Sequence, residues 1–109
     1  MLTANTDAST TILPTCTSGT PYNIGLDKGV NGGSVTTRQM KAAGPALINY
    51  SVFRDAGRTM NWGQTIGTDT VAGTGTGSAQ SVTVYGRIAA QATPSTGTYN
   101  DTIVVTLTY

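Results

Sequence analysis

The clearest pattern in the chain is its last stretch. After the turn residues Asn100 and Asp101, Ile103, Val105, Leu107 and Tyr109 fall on one side and Thr102, Val104, Thr106 and Thr108 on the other. A period of two in β-branched and aromatic residues predicts a strand with one buried face. The same period recurs in Tyr22–Asp27, where Tyr22, Ile24 and Leu26 share a face, and in Leu47–Arg54, where Ile48, Tyr50 and Val52 do. Leu47 and Phe53 lie opposite, so both faces of that strand are expected to be partly covered. Ser81–Ile88 aligns Val82, Val84 and Ile88, and Gly86 within it predicts a bulge or a close backbone approach. Two weaker strands are read at Thr10–Cys16 and Val35–Met40; Pro14 confines the first to an edge or a strand end.

Turn chemistry separates these segments. Asp27–Ser34 carries glycines suited to positive φ, and Thr65–Gln80 is a long loop rich in Thr, Gly and Ser. Five or six short strands between such breaks predict an all-β sandwich or barrel. Residues 1–9 are polar and read as a flexible N-terminal remnant, leaving residues 10–109 as a single domain.

Composition narrows the function classes. Only 10% of the 109 residues are charged, the formal net charge is +1 and there is no His. Nothing here attracts DNA, RNA or an anionic membrane, and no apolar run approaches the ~18 residues of a membrane span. The N-terminus lacks the basic and apolar regions of a secretory leader. With one Cys and no His, the common nucleophile pairs cannot form and a transition-metal site would rest on carboxylates alone. The acids Asp7, Asp27, Asp55, Asp69 and Asp101 all sit in expected turns, where Asp usually bonds its own backbone. No cofactor or metal is therefore expected. The run Gly73–Ser78 lacks the Lys of a phosphate-binding loop and reads as a hairpin tip. Arg54, Asp55 and Arg58 read as a surface ion-pair cluster. Trp62 is either a partly buried anchor or an exposed ligand platform, and Cys16 either a small buried hydrophobe or the half of a disulfide completed elsewhere. Residue chemistry alone points to a non-enzymatic β module.

Six segments in register carry a resemblance. They are Cys16–Gly29 (CTSGTPYNIGLDKG), Arg38–Met40 (RQM), Leu47–Thr59 (LINYSVFRDAGRT), Asn61–Gly63 (NWG), Val84–Ile88 (VYGRI) and Gly97–Tyr109 (GTYNDTIVVTLTY). In order and spacing the chain from about Ala8 onward resembles the spore coat protein U domain family, which includes subunits of archaic chaperone–usher pili. The resemblance implies an Ig-like β-sandwich left incomplete by a missing strand. It also implies a secreted subunit that passes through the periplasm to the cell surface, with neighbouring subunits, a periplasmic chaperone and an outer-membrane usher as partners. Assembly would proceed by donor-strand complementation, a form of β-augmentation. By this likeness Ile103, Val105, Leu107 and Tyr109 line the core beside the groove and the edge of their strand pairs with the chaperone. Family members carry further N-terminal strands, a donor extension and a Cys that pairs with the one matching Cys16. None of these precedes Leu2 here, so a self-associated or strand-swapped species is expected. A tip adhesin or coat binding module is the alternative, with Trp62, Thr74 and Thr76 as loop contacts. A hydrolase built on Asp55 or Asp101 is the most distant reading.

Overall fold

In a computed structural model, whose described residues are 4–92 and 97–109, the alternating segments become antiparallel strands. They are β1 (Thr6–Ile12), β2 (Pro21–Leu26), β3 (Arg38–Lys41), β4 (Leu47–Phe53), β5 (Val71–Thr74), β6 (Val82–Ile88) and β7 (Val105–Thr108). One sheet has the order β1-β6-β4-β3 and the other β5-β2-β7. The architecture is an Ig-like all-β sandwich, without a helix among the described residues. Among the described residues no helix is long and apolar enough to cross a membrane.

The core lies where the two inner faces meet. Tyr22, Ile24 and Leu26 of β2 pack with Val52 of β4, Cys16 and Trp62, and Ile12, Tyr50, Val71, Val82, Val84, Ile103 and Leu107 fill in around them. Trp62 is fully buried and its indole N–H donates to the Ile24 carbonyl at 2.8 Å. Its own backbone N–H reaches Val52 O at 2.9 Å, so the loop after β4 folds back and delivers the ring into the sandwich. The anchor reading of Trp62 is therefore the correct one. An exposed loop contact it is not, because a ring of this size contributes most when buried with its N–H paired.

β1 and β5 depart most from the sequence reading, and β3 begins at Arg38 rather than Val35. β1 starts at Thr6, earlier than Thr10, and pairs with β6 from Thr6↔Ile88 to Ile12↔Val82. Residues 6–9 are thus ladder rather than remnant; being polar on both sides, they carry no alternation to read. β5 forms inside the stretch taken as loop. Its Gly73 sits opposite Tyr22, and a Cβ there would lie 2.4 Å from the Tyr22 hydroxyl, so the glycine makes room for the ring. Pro14 does mark a strand end: β1 stops at Ile12, and the Pro14 carbonyl accepts from Gln80 N at 3.0 Å.

Candidate functional site

β7 is bonded to β2 on one side, from Asn23↔Thr108 to Leu26↔Val105. Among the described residues no strand lies along its other side. The strand is shorter than its alternation, because Asp27 captures the preceding backbone. The Val104 N–H donates to Asp27 Oδ1 (3.0 Å) and the Asp27 N–H to Val104 O (3.2 Å). Of the four residues expected in the core, Ile103 and Leu107 pack against it. Val105 is 48% exposed and Tyr109 84% exposed on that same face. The physical reason is that the sheet ends at β7, so a residue not above β2 and β4 has nothing over it. A hollow of about 300 Å³ lies here, lined by Thr15, Cys16, Thr17, Thr20, Leu107 and Tyr109.

The other sheet is bare in its β1–β6 half. Register places Thr6, Ala8 and Thr10 of β1 beside Ile88, Gly86 and Val84 of β6 on the inner side, yet β1 is exposed along nearly its whole length. Two adjoining hollows share Ala8 and Gly86: one of about 200 Å³ reaches Met40, Tyr50 and Ile88, the other of about 190 Å³ reaches Thr10 and Val84. Gly86 makes no bulge. It pairs with Ala8 on one side and Val52 on the other. A Cβ would meet nothing nearer than Ala8 O at 3.6 Å, so the missing side chain simply leaves the floor open.

Sequence reasoning missed what makes the opposite end rigid. Arg38 is fully buried, with Nε donating to Asp27 O (3.0 Å), Nη1 to Val35 O (2.9 Å) and Nη2 to Leu26 O (3.0 Å) and Trp62 O (2.6 Å). Burial pushes its pKa down, against the nearby Tyr50, Asp27, Asp101 and Asp69, which push it up. Asp101 does similar work from the approach to β7: Oδ1 accepts from Val30 N (2.9 Å) and Asn31 N (3.3 Å), and Oδ2 accepts from the Tyr50 hydroxyl. Burial first, and then this bond, raises the Tyr50 pKa. Gly29 (φ +78°) supplies the left-handed turn, and a Cβ on it would collide with the Asp101 carboxylate.

The remaining candidates fall out individually. Asp55 accepts from Thr59 Oγ1 (2.6 Å), Thr59 N (3.0 Å) and Met60 N (3.0 Å), closing its own turn. Both carboxylates of the hydrolase reading are thus engaged, Asp55 by donors of its own turn and Asp101 by Val30, Asn31 and Tyr50 from distant parts of the chain. The Arg54–Asp55–Arg58 cluster does not form as expected: Arg58 turns away to Asp7, at 3.6 Å. Thr74 and Thr76 are exposed, with the Thr76 hydroxyl donating to Ser78 O at 3.3 Å. Cys16 is buried in the core with its thiol free. No group of three or more metal-ligating side chains occurs among the described residues.

The geometry defines a class: an Ig-like sandwich domain of two open sheets, with exposed apolar side chains beside the free side of edge strand β7. The Spore Coat Protein U domain model matches residues 1–106, and the chain belongs to that family. It is 36% identical over 77 residues to Protein U of Myxococcus xanthus, a match covering 70% of this chain and 42% of that protein. In structure it resembles one chain of the CsuC-CsuE chaperone-tip adhesion subunit pre-assembly complex from the archaic chaperone-usher Csu pili of Acinetobacter baumannii. That likeness has a TM-score of 0.74 at 20% identity, covering 95% of this chain and 35% of the other.

Proposed function

We propose that this chain is a structural subunit of a surface fibre or coat that takes a β-strand from another polypeptide along the free edge of β7. The carrying observation is the coincidence of an unpaired strand edge with exposed Val105 and Tyr109 on the inner face. An open edge beside apolar surface is an aggregation hazard, and a strand laid along it pairs the backbone while covering the side chains. Each aliphatic or aromatic side chain so buried contributes ~1.5–3 kcal/mol as an upper bound, so three or four approach the whole stability of a small domain, ~5–15 kcal/mol. A periplasmic chaperone fills the edge first and a neighbouring subunit replaces it, with an outer-membrane usher at the exit. The product is a cell-surface assembly without catalysis. Membership of a family that includes pilus subunits, and the likeness to a chaperone-bound pilus complex, support this reading.

The test uses a labelled peptide of alternating Val and Thr, about 12 residues long to match a strand. It should bind at one site, and Tyr109→Ser, which removes exposed apolar surface beside that edge, should weaken it by about tenfold or more. Val105→Lys should abolish both peptide binding and self-association, with cooperative unfolding retained. Unchanged binding in both variants, or a wild type that is a monomer at all micromolar concentrations and ignores the peptide, refutes the reading.

A further inference from the structure

β1 is held differently from every other strand. Six of its seven residues are exposed and only Ile12 is half-buried against the core, so packing contributes little to its retention. Beyond the ladder with β6, its contacts gather at its start. The Arg87 guanidinium grips the Asp7 carboxylate with Nε at 2.8 Å and Nη2 at 3.2 Å. Arg58 comes within 3.6 Å of the same carboxylate, and donates from Nη2 to Ala8 O (3.3 Å) and from Nε to Gly86 O (3.1 Å). Its guanidinium lies 5.6 Å from the centroid of the Tyr85 ring. Arg58 is also the non-glycine residue held at positive φ (+56°) among those described, a conformation its surroundings must enforce.

The far end of β1 is the opposite. Leu13 is 62% exposed, and immediately after it the chain is fixed, with Pro14 buried and Thr15 bridged to Ala79. A strand without a packed face, an ionic clasp at one end and one exposed residue before a firm anchor form a detachable unit.

We infer that β1 is an exchangeable strand, clasped by Arg58 and Arg87 through Asp7, and that the occupant of the vacated β6 edge is β1 of a second copy of this chain. A second copy is favoured because its β1 presents the matching order, with Asp7 opposite Arg87 while Ile12 meets Val82, so the carboxylate meets the two arginines that held the departed strand. An identical strand regains every contact it left, which makes such exchange inexpensive. The inference concerns the β6 edge and stands whether or not a donor strand occupies the edge of β7.

The experiment uses full-length protein carrying Cys16→Ala. One variant adds Thr11→Cys and another Thr83→Cys, positions opposite each other in the ladder. After the two are mixed and incubated, a short bis-maleimide should yield a cross-linked heterodimer well above the yield from Ser18→Cys mixed with Thr83→Cys, which reports random collision. A single chain carrying both Thr11→Cys and Thr83→Cys should cross-link as a monomer when treated at once, confirming fold and register. Exchange should speed up by about threefold or more in 1 M NaCl or with Asp7→Asn, because both disable an exposed ion-pair network. Heterodimer at the collision level overturns the inference. So does exchange indifferent to both salt and Asp7→Asn, or a double variant that fails to cross-link within one chain.

Discussion

Arg38→Met is the substitution that most directly tests how the closed end of the sandwich is held. The guanidinium is fully buried and donates four hydrogen bonds to backbone carbonyls of Leu26, Asp27, Val35 and Trp62. Those carbonyls belong to the end of β2, the approach to β3 and the turn that delivers Trp62, so one side chain ties three segments. Methionine fills much of the volume but donates nothing. Up to four carbonyls lose a charge-assisted bond, and a buried polar group left unpaired costs ~1–3 kcal/mol. Against this stands the relief of no longer burying a cation, a penalty of several kcal/mol. The net expectation is a loss of about 3–5 kcal/mol, as when a buried charged network is broken from one side. At ~1–3 kcal/mol per molar urea, the unfolding midpoint should fall by roughly 2 M. Arg38→Lys keeps the charge, but its point-like ammonium cannot span four carbonyls, so it should lose at least half as much. Urea titration followed by Trp62 fluorescence is the assay, since the ring is buried only in the folded state. A midpoint for Arg38→Met within about 0.3 M of the wild type, or full rescue by lysine, would show that the clamp does not bear the stability assigned to it.

The sequence made the interior strands legible because their chemistry is written in alternation. Tyr22, Ile24 and Leu26 repeat at period two and end up buried, as do Ile48 and Val52. What it hid falls into two kinds. β1 and β5 are held at sheet edges by partners distant in the chain, β6 and β2; β1 is polar but for Ala8 and Ile12, and β5 is only four residues long, with Gly73 breaking any alternation after Val71. An edge strand with no covered face has no reason to alternate. Arg38 and Asp101 were hidden for another reason: each acts through backbone groups that only the fold gathers, and a lone Arg or Asp carries no local mark of burial. The strongest pattern sets a face but not its cover. The alternation from Ile103 to Tyr109 says which side faces inward, but cover depends on whether another strand lies opposite, and Val105 and Tyr109 stand exposed.

Two further predictions follow from the same contacts. Gly75→Ala should cost about 1–3 kcal/mol, because the new Cβ would lie 2.3 Å from the Thr17 carbonyl oxygen and 2.8 Å from Cys16 Cβ, and backbone cannot retreat as a flexible side chain does; thermal unfolding alongside Gly77→Ala, whose site has no such neighbour but has the positive φ (+80°) that Gly75 lacks, separates collision from turn strain. The turn after β4 should loosen in acid. The Thr59 hydroxyl first, then the Met60 N–H, hold the Asp55 carboxyl below its usual range. A group with a depressed folded pKa adds stability above its unfolded value, about 4, and loses it as pH falls through the folded one. The protection of the Thr59 and Met60 amides against hydrogen exchange, relative to the intrinsic rate at each pH, should therefore fall below about pH 4, and Asp55→Asn should flatten that dependence. Arg58 rides on this turn, and Asp7 is itself held low, mainly by its bond to Arg87. Acid thus weakens the β1 clasp from both its ends, the turn that aims Arg58 and the carboxylate it meets. The two contributions separate in the variants: Asp7→Asn should leave the acid response at Thr59 intact while reducing that of the β1–β6 ladder to the part carried by the Asp55 turn through Arg58. A clasp that keeps its full pH response without Asp7 would contradict the assignment.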